Sequence, residues 1–303
     1  MLKRRSTLPE EGRGPAAFLL SAPALVGLLL FVLLPFLLAV ALSLTNLRLG
    51  SPLPLEWVGL EQYRRILNDP SFLHALINNL LFVLTVVPVQ TVLALAMAML
   101  LNQRLGAIAW FRVLFFMPVV FPLSLVAVVW VLIFAPGPDG PMNALLELIS
   151  FGAWTPRDFL HDEQLALPAI MLTSIWQGTG FQMVVILAGL QAISAELYEA
   201  ATIDGAGCWQ RFWFVTLPQL RNTLIFVVLV TTILAFRLFD QVQIMTQGGP
   251  HDATTTIMFE AVQSAFARQQ IGSGAAMTVV MFLVVLLLSL LQRRIASQER
   301  EVS

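Results

Sequence analysis

The stretch Glu199-Ala-Ala-Thr-Ile-Asp-Gly-Ala-Gly-Cys-Trp-Gln-Arg-Phe-Trp-Phe-Val-Thr-Leu-Pro218 interrupts a chain whose flanks on both sides read as membrane-spanning helix. Carboxylates at Glu196, Glu199 and Asp204 sit among small residues, a combination ill suited to lipid and well suited to a short helix docked on another protein. Ser194 is a good N-cap for a helix beginning at Ala195, and Glu196 and Glu199 complement the positive end of its dipole. Ala200 and Ala201 keep one face thin, so that a partner groove can approach closely. Asp204-Gly205 ends the helix, because glycine takes left-handed backbone angles without penalty. Trp209, Phe212, Trp213 and Phe214 anchor the second half at the membrane interface, and Leu217-Pro218 opens the next span where a missing N–H is cheap. Taken alone, the pattern also fits an ordinary polar loop with a capped interfacial helix.

Outward from this loop the chain is apolar. Of 303 residues, 58% are hydrophobic and 12% charged, against about 25% charged in soluble domains. A transmembrane helix needs about 20 mostly apolar residues. Six segments qualify: 17–44, 73–101, 112–135, 165–191, 218–240 and 275–292. The expected fold class is all-α, a polytopic membrane protein of six transmembrane helices with a cytoplasmic coupling helix. The first segment is uncharged from Gly14 to Leu47, too long for the core of a signal peptide, and reads as a retained span. Pro35, Pro88 and Pro122 fall within or near spans, where kinks suit a bundle around a pathway.

Orientation follows from the basic residues. With the N-terminus inside, the cytoplasmic side holds Lys3, Arg4, Arg5, Arg13, Arg104, Arg112, Arg211, Arg221, Arg293, Arg294 and Arg300, and the outer loops hold Arg48, Arg64, Arg65, Arg157 and Arg268. Asp139, Glu147, Asp158, Asp162 and Glu163 collect outside. Both termini and the loop at 192–218 are therefore expected in the cytoplasm. On the outer side the turn cluster Pro136-Gly-Pro-Asp-Gly-Pro141 precedes an amphipathic stretch, Met142 to Ile149, expected to lie along the surface.

Several functions are excluded. Lys3 is the only lysine, so no phosphate-binding loop can be built and Schiff-base chemistry lacks its amine. The single cysteine, Cys208, leaves no internal disulfide, and His74, His161 and His251 lack metal-ligand spacing. A net charge of −1 gives no sign of a nucleic-acid partner. A stand-alone secondary transporter predicts intramembrane acids for ion coupling, of which the spans are nearly free. A membrane enzyme would need clustered His, Asp or Ser at one face, and there is none.

The whole spaced pattern, Glu-Ala-Ala-x-x-Asp-Gly-Ala through Leu217-Pro218, closely resembles the cytoplasmic coupling loop (the EAA motif) of permease subunits in binding-protein-dependent ABC importers. Trp57-Val-Gly-Leu-Glu-Gln-Tyr63 resembles the Val-Gly-Leu-x-Asn-Tyr segment of carbohydrate-uptake permeases, with Gln62 in place of Asn. Met245-Thr-Gln-Gly-Gly-Pro250 resembles the Thr-x-Gly-Gly-Pro segment of the first permease in sugar and glycerol-3-phosphate systems. The resemblance covers roughly residues 18 to 293. It implies a six-helix permease domain at 17–292 between cytoplasmic tails at 1–16 and 293–303, in the cytoplasmic (inner) membrane of a bacterium or archaeon. It also implies a second permease, two ATPase subunits that bind the ATP and Mg, and an extracytoplasmic solute-binding protein. Glu196, Glu199, Ala200, Ala201, Asp204, Gly205, Leu217 and Pro218 would then form the ATPase contact, and the chain itself would hold no cofactor or metal.

In that family the solute contacts come largely from the span before the coupling loop, here containing Ser174-Ile-Trp-Gln-Gly-Thr-Gly-Phe-Gln182. Trp176 and Phe181 could stack on sugar faces, and Ser174, Gln177 and Gln182 could bond hydroxyls. Gly178 and Gly180 would let a solute or a neighbouring helix approach. The same residue types also glue helices together in membranes. Arg237 and Asp240, three apart on the expected fifth span, read as pathway residues, as a structural pair or gate, or as an arginine snorkelling to the outer surface.

Overall fold

The computed structural model describes residues 13–52, 54–103 and 108–298. Lys3, Arg4, Arg5, Arg104 and Arg300, used above to orient the chain, lie outside the described residues. The described residues are helical apart from connections and one isolated β-bridge, Thr45 with Trp57.

Fourteen α-helices follow one another: α1 (Arg13–Leu28), α2 (Leu34–Ser43), α3 (Glu61–Leu67), α4 (Pro70–Leu101), α5 (Ile108–Val120), α6 (Leu123–Ile133), α7 (Pro141–Ile149), α8 (Ala166–Gln191), α9 (Ala195–Ile203), α10 (Cys208–Arg211), α11 (Leu217–Phe236), α12 (Asp240–Met245), α13 (Ile257–Val262) and α14 (Ile271–Gln298). Among the described residues, five continuous helical stretches are long and apolar enough to cross a bilayer: Leu20–Ser43, Pro70–Leu101, Ala166–Gln191, Cys208–Phe236 and Ile271–Arg294. The third expected span is not one rod. It is the pair α5 and α6, bent by 99° at Phe121-Pro122. The proline has no N–H to continue a helix and biases Phe121 to extended backbone, and Pro122 becomes the N-cap of α6 with ψ 139.

Two other prolines are handled differently. Pro35 and Pro218 each follow a π turn, Leu29–Leu33 and Phe212–Thr216, in which the Leu34 and Leu217 N–H groups reach back five residues to Leu29 O and Phe212 O. A proline ring collides with the carbonyl four residues earlier. The widened turn moves the Phe31 and Phe214 carbonyls aside, and the helix passes through. Pro218 therefore does not start the fifth span. That helix starts at Cys208, and the proline is accommodated inside it.

The packing forms three apolar clusters. Phe82, Val126, Trp130, Ile170, Phe236 and Val242 join α4, α6, α8, α11 and α12. Ala94, Ala98, Ile108, Ile186, Leu190 and Leu220 close the end nearest α9. Phe72, Ala75, Ile257 and Met277 fasten α13 and α14 to α4. Small residues set the closest approaches, as is usual where lipid offers no hydrophobic driving force between helices. A Cβ built on Gly180 would lie 2.2 Å from Phe115 O on α5, and one on Gly272 2.4 Å from Thr45 O.

Candidate functional site

Two regions hold the residues singled out from the sequence, one at each end of α11. At one end lies α9. The Ser194 hydroxyl accepts the Glu196 N–H at 3.3 Å, and the helix closes in a Schellman arrangement: Gly205 N–H donates to Thr202 O at 3.1 Å and Ala206 N–H to Ala201 O at 2.9 Å. Gly205 takes φ +77, the left-handed angle that the C′ position requires. None of the α9 residues is buried. Two polar contacts fix it to the foot of the fifth span: Tyr198 Oη with Thr216 Oγ1 at 3.0 Å, and Arg211 Nη1 donating to Thr202 Oγ1 at 3.2 Å. Trp209 and Phe212 stack with centroids 5.7 Å apart, and Trp213 meets the two rings edge-on at 5.9 and 5.3 Å. Glu196, Glu199 and Asp204 are exposed.

At the other end is a cavity of about 540 Å³, lined by α4, the α5–α6 break, α8, α11 and the start of α12. Ser174, Gln177, Gly178, Phe181, Gln182, Arg237 and Asp240 line it. Trp176 does not. On α8 its ring points to the opposite face, where it meets Trp130 edge-on at 5.6 Å, because residues 174, 177, 178 and 181 share a helical face that residue 176 faces away from. Ser174 Oγ donates to Gln241 Oε1, Gln177 Nε2 to Phe121 O at 3.4 Å, and Gln182 Nε2 to Thr231 Oγ1 at 2.7 Å. These amides therefore join helices while lining the cavity. Gln182 Oε1 and Gln241 Nε2 are buried with no partner among the described residues.

Arg237 and Asp240 are not neighbours on one helix. α11 stops at Phe236, Arg237 is its C-cap, and Asp240 begins α12. The break is held from a distant loop: Thr256 Oγ1 donates to Leu238 O at 2.8 Å. Among the described residues no ion pair joins the two, so the expected structural pair is absent, and each charge stands singly at the cavity. Gln90 was not singled out from the sequence. It lies in the cavity wall against Gly178, where a Cβ would meet its Nε2 at 1.8 Å. A lone glutamine within the apolar run of α4 was the available signal, since polar groups inside spans are costly and functional by default.

Residues 90–301 match the profile of the binding-protein-dependent transport system inner membrane component. The chain belongs to this family. The sulfoquinovosyl glycerol transport system permease protein SmoG of Agrobacterium fabrum is 35% identical, with 88% of this chain and 85% of that one covered. The trehalose/maltose transport system permease protein MalF of Thermococcus litoralis is 32% identical over 94% of each chain. A chain of the bacterial alginate ABC transporter, solved in complex with an alginate pentasaccharide-bound periplasmic protein, superposes with a TM-score of 0.81. It covers 94% of this chain and 95% of that one at 18% identity, a likeness of fold. The protein is a multi-pass transport permease of the inner membrane that works with a binding protein, and it is not an enzyme.

Proposed function

We propose that this permease imports a sugar or polyol derivative, pairing with a second permease and docking α9 on one of two ATPase subunits that bind ATP and Mg. The lysine-poor sequence gives it no phosphate site of its own. The basic residues favour both termini and α9 in the cytoplasm, with the outer loops facing an extracytoplasmic solute-binding protein. Relatives named for sulfoquinovosyl glycerol and trehalose/maltose support a carbohydrate solute, as does a cavity wall that mixes Phe121, Phe181 and Phe239 with amides and hydroxyls.

The observation that carries the reading is the continuity of the helical stretch Cys208–Phe236, of which α11 is the greater part. Its foot is tied to α9 through Thr216, and its far end supplies Thr231, Leu234 and Arg237 to the cavity. Movement imposed on α9 by nucleotide-driven closure of the ATPases is thereby delivered to the cavity by one rigid element. Alternating access follows if nucleotide and solute favour different states of that element. Glu196, Glu199, Ala200, Ala201, Asp204 and Gly205 form the docking helix. Leu217-Pro218, inside the lever beside its π turn, set its shape.

The test uses the assembled complex in proteoliposomes. Glu199→Lys and Gly205→Val should abolish uptake and solute-stimulated ATP hydrolysis while solute binding to the separate binding protein is unchanged. The first reverses a charge at the docking face. The second forces a β-branched residue to φ +77. Uptake and stimulated hydrolysis that survive both changes would remove α9 from the coupling role.

A further inference from the structure

α7 is built the wrong way round for a helix in water. Its inner face is fixed by Asn143, fully buried. Asn143 Nδ2 donates to Arg157 O at 2.9 Å, and Oδ1 accepts Trp154 Nε1 and Arg157 N–H, each at 3.0 Å. The opposite face ought to be polar. Instead it consists of Pro141, Ala144, Leu145, Leu148 and Ile149, all exposed, with Leu148 74% and Ile149 63% open.

The helix then ends in a second Schellman arrangement, with Phe151 N–H on Leu148 O at 3.3 Å and Gly152 N–H on Glu147 O at 2.9 Å. Here the left-handed C′ position, φ +54, is held by phenylalanine, whose side chain gains nothing from this chain in return: Phe151 is 97% exposed. Glycine would take the same angle without strain. At α9 the equivalent position is Gly205. A large apolar ring kept in a strained conformation with no internal contact has its partner outside the chain.

We propose that α7 and the Phe151 turn lie in the plane of the membrane as a foot, with Leu145, Leu148, Ile149 and Phe151 seated in the headgroup–acyl boundary of the leaflet opposite α9. Chain continuity places it there. Only seven residues separate α7 from α6, whose own outward residues Leu125, Val128, Val129 and Leu132 are exposed and apolar as lipid-facing positions are. α8, which is 26 residues long, then separates this end of the bundle from α9. The rim carries the interfacial side chains, with the Arg157 guanidinium 5.6 Å from the Trp154 ring centroid. The apolar face itself has no charge for a charged partner surface to recognise.

Single cysteines replace Leu148, Phe151 or, as a control on the polar rim, Asp158, in a Cys208→Ser background. Each carries an environment-sensitive fluorophore in the assembled transporter, reconstituted in phosphatidylethanolamine–phosphatidylglycerol vesicles. Interfacial helices sit roughly 5–10 Å deep. The labels at 148 and 151 should therefore be blue-shifted and quenched severalfold more by lipid bearing a nitroxide near the headgroup than by one deep in the acyl chain. The label at 158 should be quenched by aqueous iodide. Iodide quenching at 148 and 151 would show the face in water and overturn the proposal. Protection from both iodide and lipid-borne nitroxide would show a protein covering it, which overturns it equally.

Discussion

Gly180 offers the sharpest test of how the cavity is held. An alanine there would place Cβ 2.2 Å from Phe115 O, 3.1 Å from Phe115 C and 3.1 Å from Phe116 Cα. These are backbone atoms, so no rotamer change relieves the contact, and α5 would have to move outward by about 1 Å to restore ordinary van der Waals separation. That movement carries the α5–α6 break with it and stretches the Gln177 Nε2–Phe121 O contact, already 3.4 Å, beyond hydrogen-bond range. Overpacking of this kind costs about 1–3 kcal/mol. At Gly178 the nearest atoms to the same methyl all belong to the Gln90 amide, the end of a flexible side chain that can swing into the cavity. Gly180→Ala should therefore lower both the thermal midpoint of the purified permease complex and solute uptake. Gly178→Ala should lower uptake with little change in midpoint, because the displaced amide occupies solute space. Differential scanning fluorimetry and proteoliposome uptake read the two effects separately. If Gly180→Ala is as stable and as active as the parent, the close approach of α8 to α5 does not exist in the working protein.

Gln177→Ala should reduce uptake about tenfold with assembly intact, since loss of a buried hydrogen-bond partner costs about 1–3 kcal/mol, and Phe181→Ala, which removes an apolar ring from the cavity wall, should also lower it; unchanged uptake in both would move the pathway elsewhere. Because Arg237 and Asp240 stand apart, Arg237→Gln and Asp240→Asn should shift the preference among neutral and anionic sugars in opposite directions, and matched losses for every solute in competition uptake would restore the structural pair. Burial raises the Glu260 carboxyl above its ordinary value, with Arg268 only partly opposing the shift. The folded state therefore holds that proton more tightly, and the stability due to this group falls as pH rises from the ordinary carboxylate range through the raised value. Glu260→Gln should raise the thermal midpoint at neutral pH and lose that advantage in acid, and a midpoint gain independent of pH would assign the effect to packing. Impermeant thiol reagents applied from outside should label a cysteine at Asp252 but not one at Gln210, both in Cys208→Ser; reversed labelling would invert the orientation.

Local rules made the ends of α9 legible in advance: Ser194 caps, Gly205 terminates, and both do so by interactions within a few residues. The apolar runs likewise located the spans. The interruptions were less readable, because each depends on what packs beside it. Pro122 marks a possible break, but the bend at Phe121 is held in part by Gln177 of α8, whose amide takes the Phe121 carbonyl. The stop after Phe236 depends on Thr256, eighteen positions beyond Leu238, so a continuous count up the helix carried Arg237 and Asp240 onto one face. The side taken by the Trp176 ring, by contrast, follows from helical spacing alone, which sets position 176 opposite 174, 177, 178 and 181. Gln90 too carries its signal in the sequence, as a polar amide within the apolar run of α4.

The bend between α5 and α6 also bears on how the protein is made. Thirteen and eleven residues give rods of about 20 and 17 Å, each too short for a hydrocarbon layer of about 30 Å. Neither half is an independent unit for the insertion machinery, so the two enter the bilayer as one segment whose single charge, Arg112, lies near its start. The fold at Phe121 cannot precede that entry, because an uncovered carbonyl in lipid is costly and Gln177, which covers it, is synthesised more than fifty residues later. The span is inserted first and bent afterwards, and the shape of the cavity is settled only when α8 arrives.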